Sequence, residues 1–416
     1  MESEPAPRRA RERKVVETPF GDVVVVGASL GGLAAVEGLR RAGYGGRITV
    51  IGAEPHLPYD RPPLSKSVLA GTASVDTTAL RAPAAYDKLS AEWKLGRPAS
   101  GLDLERRVVR LADGEDVPFE ALVIATGASV RTLPNPDGLD GIFVLRTLDD
   151  CLAVRTRLDA NPRVAVVGAG FIGMEVAATC RSRGLEVDVV EAMPVPLSHT
   201  FGPLVGSWCQ QLHLDHGVRI HCGATVERFC GNGNVDGIRL SDGTTVPADL
   251  VVVGIGVVPE TGWLEGSGLE LDNGVVVDET CATQAPYVVA CGDVARWPNP
   301  LFDEAMRIEH WTNAIDQGHH AAKRLVQGES VGAYSPVPYV WSDQYDVRIS
   351  FLGRARPDDE VELIHGSVAD RKLVALYGRQ GRLVGAFGFN YVKLMAYSKL
   401  IAARAPINEA RTAVAL

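Results

Sequence analysis

Two glycine-rich turns, each placed between a buried strand and a helix, restrict this chain more than any other feature in it. The first follows Asp22–Val26, a short β-branched run that ends in Gly27-Ala28-Ser29-Leu30-Gly31-Gly32. A helical pattern continues through Leu33, Ala34, Ala35, Val36 and Leu39; Gly43, Gly45 and Gly46 stop it, and Arg47–Ile51 is a second strand. The same order recurs at Arg163–Val167, Gly168-Ala169-Gly170-Phe171-Ile172-Gly173, a helix from Met174 to Arg183 stopped by Gly184, and a strand at Val187–Val190. A β-branched run bounded by glycine reads as a buried parallel strand. Strand, glycine turn and helix together open a βαβ unit whose helix N-terminus faces a pyrophosphate. One such turn occurs in proteins that bind nothing; two in tandem predict an α/β fold with two Rossmann-like dinucleotide-binding domains.

The two units differ in detail. Ser29 stands at the second glycine position of the first, where a small side chain narrows the phosphate approach without closing it. The second fingerprint is intact, and Glu191 sits at the tip of its second strand, about 20 residues beyond the glycines, where the ribose 2′-OH is bound. Met193 follows with no Arg or Lys beside it, so an acidic strand end repels a 2′-phosphate and NADH is expected over NADPH. In the first unit the acidic residue should follow Ile51 closely, and Glu54 is the candidate.

A length of 416 residues suggests two or three domains of ordinary size. Formal charge is −9, which gives nucleic-acid binding no electrostatic support. The seven cysteines form no CxxC or CxxxxC pair, as expected of reduced thiols in a cytoplasmic protein. No apolar run reaches the length of a membrane span. Residues 1–19 are polar, lack a signal-peptide core and read as a disordered extension.

Cys209, His213, His216, His221 and Cys222 are the only metal-like cluster, with the first three on one helical face. The close ligand pairs of structural zinc sites are missing, so no metal is expected. Further on, Pro336–Gln344 (PVPYVWSDQ) leads into runs at Val347–Gly353, Glu360–Gly366, Lys372–Tyr377 and Leu383–Phe389. Strands and turns in alternation predict a small antiparallel sheet, closed by a helix over Tyr391–Ala403.

Pro58-Tyr59-Asp60-Arg61-Pro62-Pro63-Leu64-Ser65-Lys66, the WSDQ stretch and the paired fingerprints resemble the FAD-containing, NADH-dependent ferredoxin reductases that feed P450 and Rieske oxygenases. The resemblance runs from Phe20 to the C-terminal helix. It implies a glutathione reductase-like fold with a small α+β C-terminal interface domain. The expected division is an FAD-binding domain at 20–128 and 260–330, an NAD-binding domain at 129–259 and a C-terminal domain at 331–416. The family's usual acidic position in the first unit holds Ala53, so Glu54 would take over the ribose contact.

By the same resemblance, Gly27, Ser29, Gly31, Gly32, Arg61, Ala99, Thr126, Gly127 and Arg146 face FAD. Gly168, Gly170, Phe171, Ile172, Gly173, Glu191 and Gly256 face NADH. Lys66 lies near the reactive edge of the isoalloxazine and pairs with Glu175. Asp293 receives the ribityl chain at a helix start, although an N-cap aspartate accounts for it equally well. The helix at Arg307–Leu325, with Ile308, Trp311, Ile315 and Ala322 near one face, turns its N-terminus and Glu309, His310 and Trp311 to the flavin. Flavin hydride transfer needs no protein nucleophile, so His310 is packing or a cofactor contact before it is an acid or base. Trp341 lies near the flavin and the partner surface, or fills a small core.

The expected activity is NADH oxidation through FAD with single electrons passed to a [2Fe–2S] ferredoxin, by a monomer or weak homodimer. Arg307, Arg348, Lys393 and Lys399 are candidate docking cations for an acidic partner. A quinone or monodehydroascorbate reductase is the enzymatic alternative, and a flavoprotein binding module the non-enzymatic one. A disulfide reductase needs cysteine just after the first glycine turn, and residues 30–70 contain none.

Overall fold

The computed structural model describes residues 16–413 except position 136, so the expected extension falls outside the described residues up to position 15. Strand β1 (Asp22–Val26) leads through the first glycine turn into α1 (Leu30–Arg41), followed by β2 (Arg47–Ile51), β3 (Ala91–Lys94) and β4 (Ala121–Ile124). Val23–Val26 are at most 2% exposed, because β2 and β4 flank β1 in parallel and residues of α1 and of the strand Val108–Leu111 share one core with it. Edge strand β3 was not foreseen: Ala-Glu-Trp-Lys is half polar and carries no apolar run. Between β3 and β4 the chain forms a three-stranded antiparallel meander, Ala99–Asp103, Val108–Leu111 and Asp116–Pro118. Asp113-Gly114 turns its second hairpin, and the first turns through Arg107 at φ +53.

The second unit comprises β5 (Ile142–Val144), α2 (Leu148–Leu158), β6 (Val164–Val167), α3 (Phe171–Ser182), β7 (Val187–Glu191), α4 (Ser198–Asp215), β8 (Arg219–Cys222) and β9 (Leu250–Val253). Its sheet runs β8-β7-β6-β9-β5, all parallel. Thr147 and Asp150 form a capping box that starts α2.

The chain then returns to the first sheet through β10 (Val288–Ala290), giving the order β10-β4-β1-β2-β3. The following helix, α5, spans Trp311–Gln327 and not Arg307–Leu325 as the pattern suggested. Glu304–Met306 pairs as a strand with Ala295–Asn299, and His310 is extended at φ −107, ψ 142, so the helix cannot begin before Trp311. Its buried face also differs from the expected one. Asn313, Ala314, Gln317, Gly318, Ala321 and Ala322 are buried, with Ala314, Gly318 and Ala322 against α1, while Trp311 and Ile315 are only partly buried. Small residues are required here, since a Cβ on Gly318 would stand 2.6 Å from the Gly31 carbonyl oxygen.

The C-terminal part is a five-stranded antiparallel sheet of β11 (Tyr339–Gln344), β12 (Val347–Gly353), β13 (Glu360–Ser367), β14 (Lys372–Arg379) and β15 (Arg382–Phe389), ordered β11-β12-β15-β14-β13. The WSDQ stretch is thus itself a strand, which its polar residues disguised. The closing helix is shorter than expected: α6 covers Ala396–Ala402, and a further helix, α7 (Ile407–Thr412), follows Pro406. Among the described residues no helix is long and apolar enough to cross a membrane.

Candidate functional site

Each glycine fingerprint is a cradle that a side chain would destroy. Gly27 adopts φ +119, and a Cβ there would stand 2.1 Å from the Ala125 carbonyl oxygen. Gly32 and Gly173 bring their helices against the turn, where a Cβ would lie 1.8 Å from Gly27 O and 2.0 Å from Gly168 O. Gly168 (φ +101) packs as tightly on Gly254. At Gly170, by contrast, no protein atom lies within 4 Å of an added Cβ, so this position opens outward from the turn. Its counterpart Ser29 caps α1 without a side-chain bond to the helix, which leaves its hydroxyl for a ligand.

Glu191 closes the second cradle. One carboxylate oxygen accepts Ala169 N–H at 2.6 Å and the other Met193 N–H at 2.8 Å. The acidic side chain therefore ties the glycine turn to the end of β7, with lone pairs left for a ribose hydroxyl. Phe171 packs edge-on against Phe201 with ring centres 5.5 Å apart, while Ile172 is 45% exposed at the start of α3. Gly256, at φ +94, turns the chain where β9 ends.

In the first cradle the C-terminal ends of the strands bring Thr126-Gly127, Arg146 and Asp293 together. Arg146 Nη2 lies 3.2 Å from Asp293 Oδ2, and the guanidinium would be 3.7 Å from a Cβ on Gly127. Thr126 donates its hydroxyl to Glu260 O at 2.8 Å. Asp293 does not cap a helix: it lies within one 3₁₀ turn, Gly292–Val294, and its carboxylate faces Arg146. Glu309 pairs with Arg307 at 2.7 Å. Ala99 opens the meander, opposite Leu111.

Glu54 turns away from the end of β2. Its carboxylate accepts Tyr59 Oη–H and, at 2.6 Å, Arg61 Nη2–H, and Arg61 also donates to Arg146 O at 2.6 Å. The two expected cofactor contacts thus spend these bonds on each other, anchoring the Pro-rich segment to the strand end.

That anchored segment delivers Lys66 to the place where the first unit meets α3 of the second and β11 of the C-terminal sheet. Lys66 Nζ lies 2.6 Å from Glu175 Oε2, a pair that sequence resemblance alone had suggested. Glu175 is 4% exposed on α3 and also accepts Ser65 Oγ–H at 2.5 Å and Ser342 Oγ–H at 2.6 Å. Ser65 and Ser342 were missed, although both lie in the quoted PYDRPPLSK and WSDQ stretches. Beside them, Trp311 Nε1 donates to Asp60 Oδ1 at 2.7 Å, and Trp341 meets Trp311 edge-on at 5.8 Å and Tyr339 at 5.9 Å. Burial raises the Asp60 carboxyl above its ordinary range.

His310 Nδ1 and Gln317 Nε2 are buried polar atoms without hydrogen-bond partners in the protein, the first just before α5 and the second within it. Gln317 already holds Gly292 N–H through its oxygen at 2.9 Å. Burial pushes His310 down to about 4, so the ring is neutral, with Nδ1 open to a ligand. Orphaned buried polar atoms beside α5, glycine-lined turns at both cradles and a free Ser29 hydroxyl fit a flavin dinucleotide in the first unit and a nicotinamide dinucleotide in the second.

The metal-like cluster is spent on other partners. His213 bonds Gln344 and Tyr345, His221 Nε2 lies 2.9 Å from Asp188, and burial raises the Cys209 thiol. Among the docking cations, Arg307 is turned inward, with its side chain 11% exposed and bonded to Glu309 and Asp293 O. Arg348 is held by both oxygens of Asp343, whereas Lys393 and Lys399 are exposed.

Residues 21–318 match the family model described as pyridine nucleotide-disulphide oxidoreductase, and residues 339–415 match the one described as reductase C-terminal. Putidaredoxin reductase of Pseudomonas putida is 33% identical over 394 residues, covering 93% of each chain. The ferredoxin–NAD(+) reductase component of the anthranilate 1,2-dioxygenase system of Burkholderia cepacia is 36% identical, covering 92% of this chain and 94% of that one. Among solved structures, the covalent putidaredoxin reductase–putidaredoxin complex superposes with a TM-score of 0.89 at 33% identity, covering 94% of each chain.

Proposed function

The chain belongs to the pyridine nucleotide-disulphide oxidoreductase family, and from that membership we infer that it is an NADH-dependent ferredoxin reductase. It passes electrons from NADH through FAD to a [2Fe–2S] ferredoxin that serves a P450 or Rieske oxygenase. The observation that carries this is the union of residues 21–318 with a reductase C-terminal domain at 339–415, in a chain with no cysteine at positions 30–70. Disulfide chemistry on this fold needs a thiol there; one-electron transfer does not.

Bound FAD would supply the conversion between the one hydride taken from each NADH and the two single electrons given to iron–sulfur centres. The protein supplies binding, orientation and charge. Gly27, Ser29, Gly31 and Gly32 present the N-terminus of α1 to the FAD pyrophosphate, with Thr126, Gly127, Arg146 and Asp293 around the rest of the dinucleotide. Gly168–Gly173 does the same for NADH, and Glu191 accepts from its ribose while repelling a 2′-phosphate. Gly256, Phe171 and Ile172 border that cradle. His310, Trp311 and Trp341 line the flavin end beside Glu309. Lys66 places an ammonium where negative charge develops on reduction, and Glu175 holds the ammonium there.

We divide the chain into an FAD domain at 20–128 and 260–330, an NAD domain at 129–259 and an interface domain from 331. The seven free cysteines favour a reducing cytoplasm. Exposed Lys393 and Lys399 on the interface domain suit an acidic ferredoxin.

The test is cytochrome c reduction by NADH with and without a [2Fe–2S] ferredoxin, with NADPH in parallel. Ferredoxin-dependent turnover with NADH preferred is expected. Fast turnover indifferent to ferredoxin would replace this function with a quinone or small-acceptor reductase.

A further inference from the structure

Behind the Lys66–Glu175 pair runs a line of buried polar groups that the electron-transfer chemistry does not itself require. Ser342 Oγ, bonded to Glu175 Oε1, lies 3.0 Å from Gln344 Nε2. Gln344 Oε1 lies 2.8 Å from His213 Nε2, and His213 Nδ1 lies 3.1 Å from Tyr345 Oη. His213, Ser342 and Gln344 are all 0% exposed. The line crosses from α4 of the second unit to β11 of the C-terminal sheet and back to α3.

The carboxylate at one end sets the direction of every bond. A carboxylate only accepts, so Ser342 must donate to Glu175. Its single proton is then spent, and Ser342 Oγ accepts from the amide nitrogen of Gln344. The amide oxygen must in turn receive Nε2–H of His213, which leaves Nδ1 to accept from Tyr345. Burial holds His213 neutral, so it carries the one proton this pattern needs. The amide of Gln344 interrupts proton transfer along the line, so what it transmits is orientation and polarity.

Tyr345 provides an independent sign that the line is built. It occupies the first position of the two-residue turn between β11 and β12 at φ +56, where glycine is favoured and a bulky residue is strained. Its ring is clamped by His216, stacked at 3.6 Å and 6°.

We propose that Tyr345, His213, Gln344 and Ser342 form a positioning relay for the reaction, holding the Glu175 carboxylate in the one orientation that keeps the Lys66 ammonium at the flavin edge. This rests on the reading of Lys66 as the cation beside the flavin. The C-terminal sheet thereby contributes to the chemistry from its interior, in addition to any surface it offers a partner.

Gln344→Met keeps the side-chain volume and removes both bonds. Flavin reduction at saturating NADH should slow about tenfold, the effect of one lost charge-linked hydrogen bond, with KM for NADH unchanged. The flavin midpoint potential, measured spectroelectrochemically on the holoprotein, should move in the same direction as in Lys66→Met. His213→Phe should act likewise, and His213→Gln, which can both donate and accept, should restore wild-type behaviour. In a Glu175→Gln background, Gln344→Met should change neither rate nor potential further. If Gln344→Met does not fold, Ser342→Ala and the two His213 variants decide the matter. A shift in Glu175→Gln with none in the relay variants would overturn the relay alone, as would a Gln344→Met effect that persists in that background. Unchanged rate and potential in both Lys66→Met and Glu175→Gln would remove the reading of Lys66 on which the relay rests.

Discussion

Lys66 Nζ and Glu175 Oε2 stand 2.6 Å apart, although 109 positions of chain (175 − 66) separate them. One arrives on a Pro-rich loop of the first dinucleotide unit, the other on the first turns of the fingerprint helix of the second. Their meeting joins the first dinucleotide unit to the second.

Lys66→Met leaves Glu175 buried with hydroxyl donors and no cation. Losing one partner of a buried pair costs about 3 kcal/mol, so the melting temperature should fall. Lys66→Met with Glu175→Gln should recover most of that loss, since no unpaired charge then remains. Thermal melts of the holoproteins compare the two.

Glu191→Ala removes the 2′-OH acceptor, the negative charge and the two backbone bonds to Ala169 and Met193. The ratio of kcat/KM for NADH over NADPH should fall by about tenfold or more, the worth of one charge-assisted hydrogen bond. Steady-state kinetics with both nucleotides reads it directly, and an unchanged ratio would mean that discrimination lies elsewhere.

The glycines separate the two cofactors. Gly32→Ala puts a Cβ 1.8 Å from Gly27 O, and the purified protein should be colourless for want of FAD. Gly173→Ala makes the equivalent clash at 2.0 Å in the other unit, and should give a yellow protein that NADH does not bleach. Gly170→Ser meets no protein atom and should retain NADH binding, as Ser29 is accommodated in the first unit. Absorption spectra before and after NADH distinguish all three.

Burial lowers His213 and His310 from 6.5 to about 4. The unfolded chain therefore binds more protons than the folded one between those values. Stability rises with pH across this window and is lost as pH falls from 6.5 to 4, by on the order of 3 kcal/mol for each ring. His213→Gln should flatten the dependence of melting temperature on pH between 4.5 and 6.5 by the share of one ring. An unchanged slope would show that His213 is not held neutral by its surroundings.

The parallel sheets were legible because their strands are unbroken β-branched runs, Val23–Val26 and Val164–Val167, stopped by glycine. Burial on both faces demands that composition, and no other element competes for it. Short edge strand β3 and strand β11 were not legible, since polar residues on a half-exposed edge or beside a buried carboxylate look like loop. The start of α5 was misplaced for a related reason: Arg307–His310 has a helical pattern, but pairing of Glu304–Met306 and the bond from Arg307 to Asp293 O keep it extended.

Sequence by itself determined the two cradles, the acidic tip at Glu191 and the fold class, because each depends on residues within one strand–turn–helix unit. Tertiary structure decided what distant side chains do with their hydrogen bonds. Glu54 is taken by Tyr59 and Arg61, Arg307 is drawn inward, and Glu175 gathers Ser65 and Lys66 from one distant stretch of the chain and Ser342 from another. Local spacing carries no record of such partners, because a buried polar group bonds whatever donor the packed chain brings within reach.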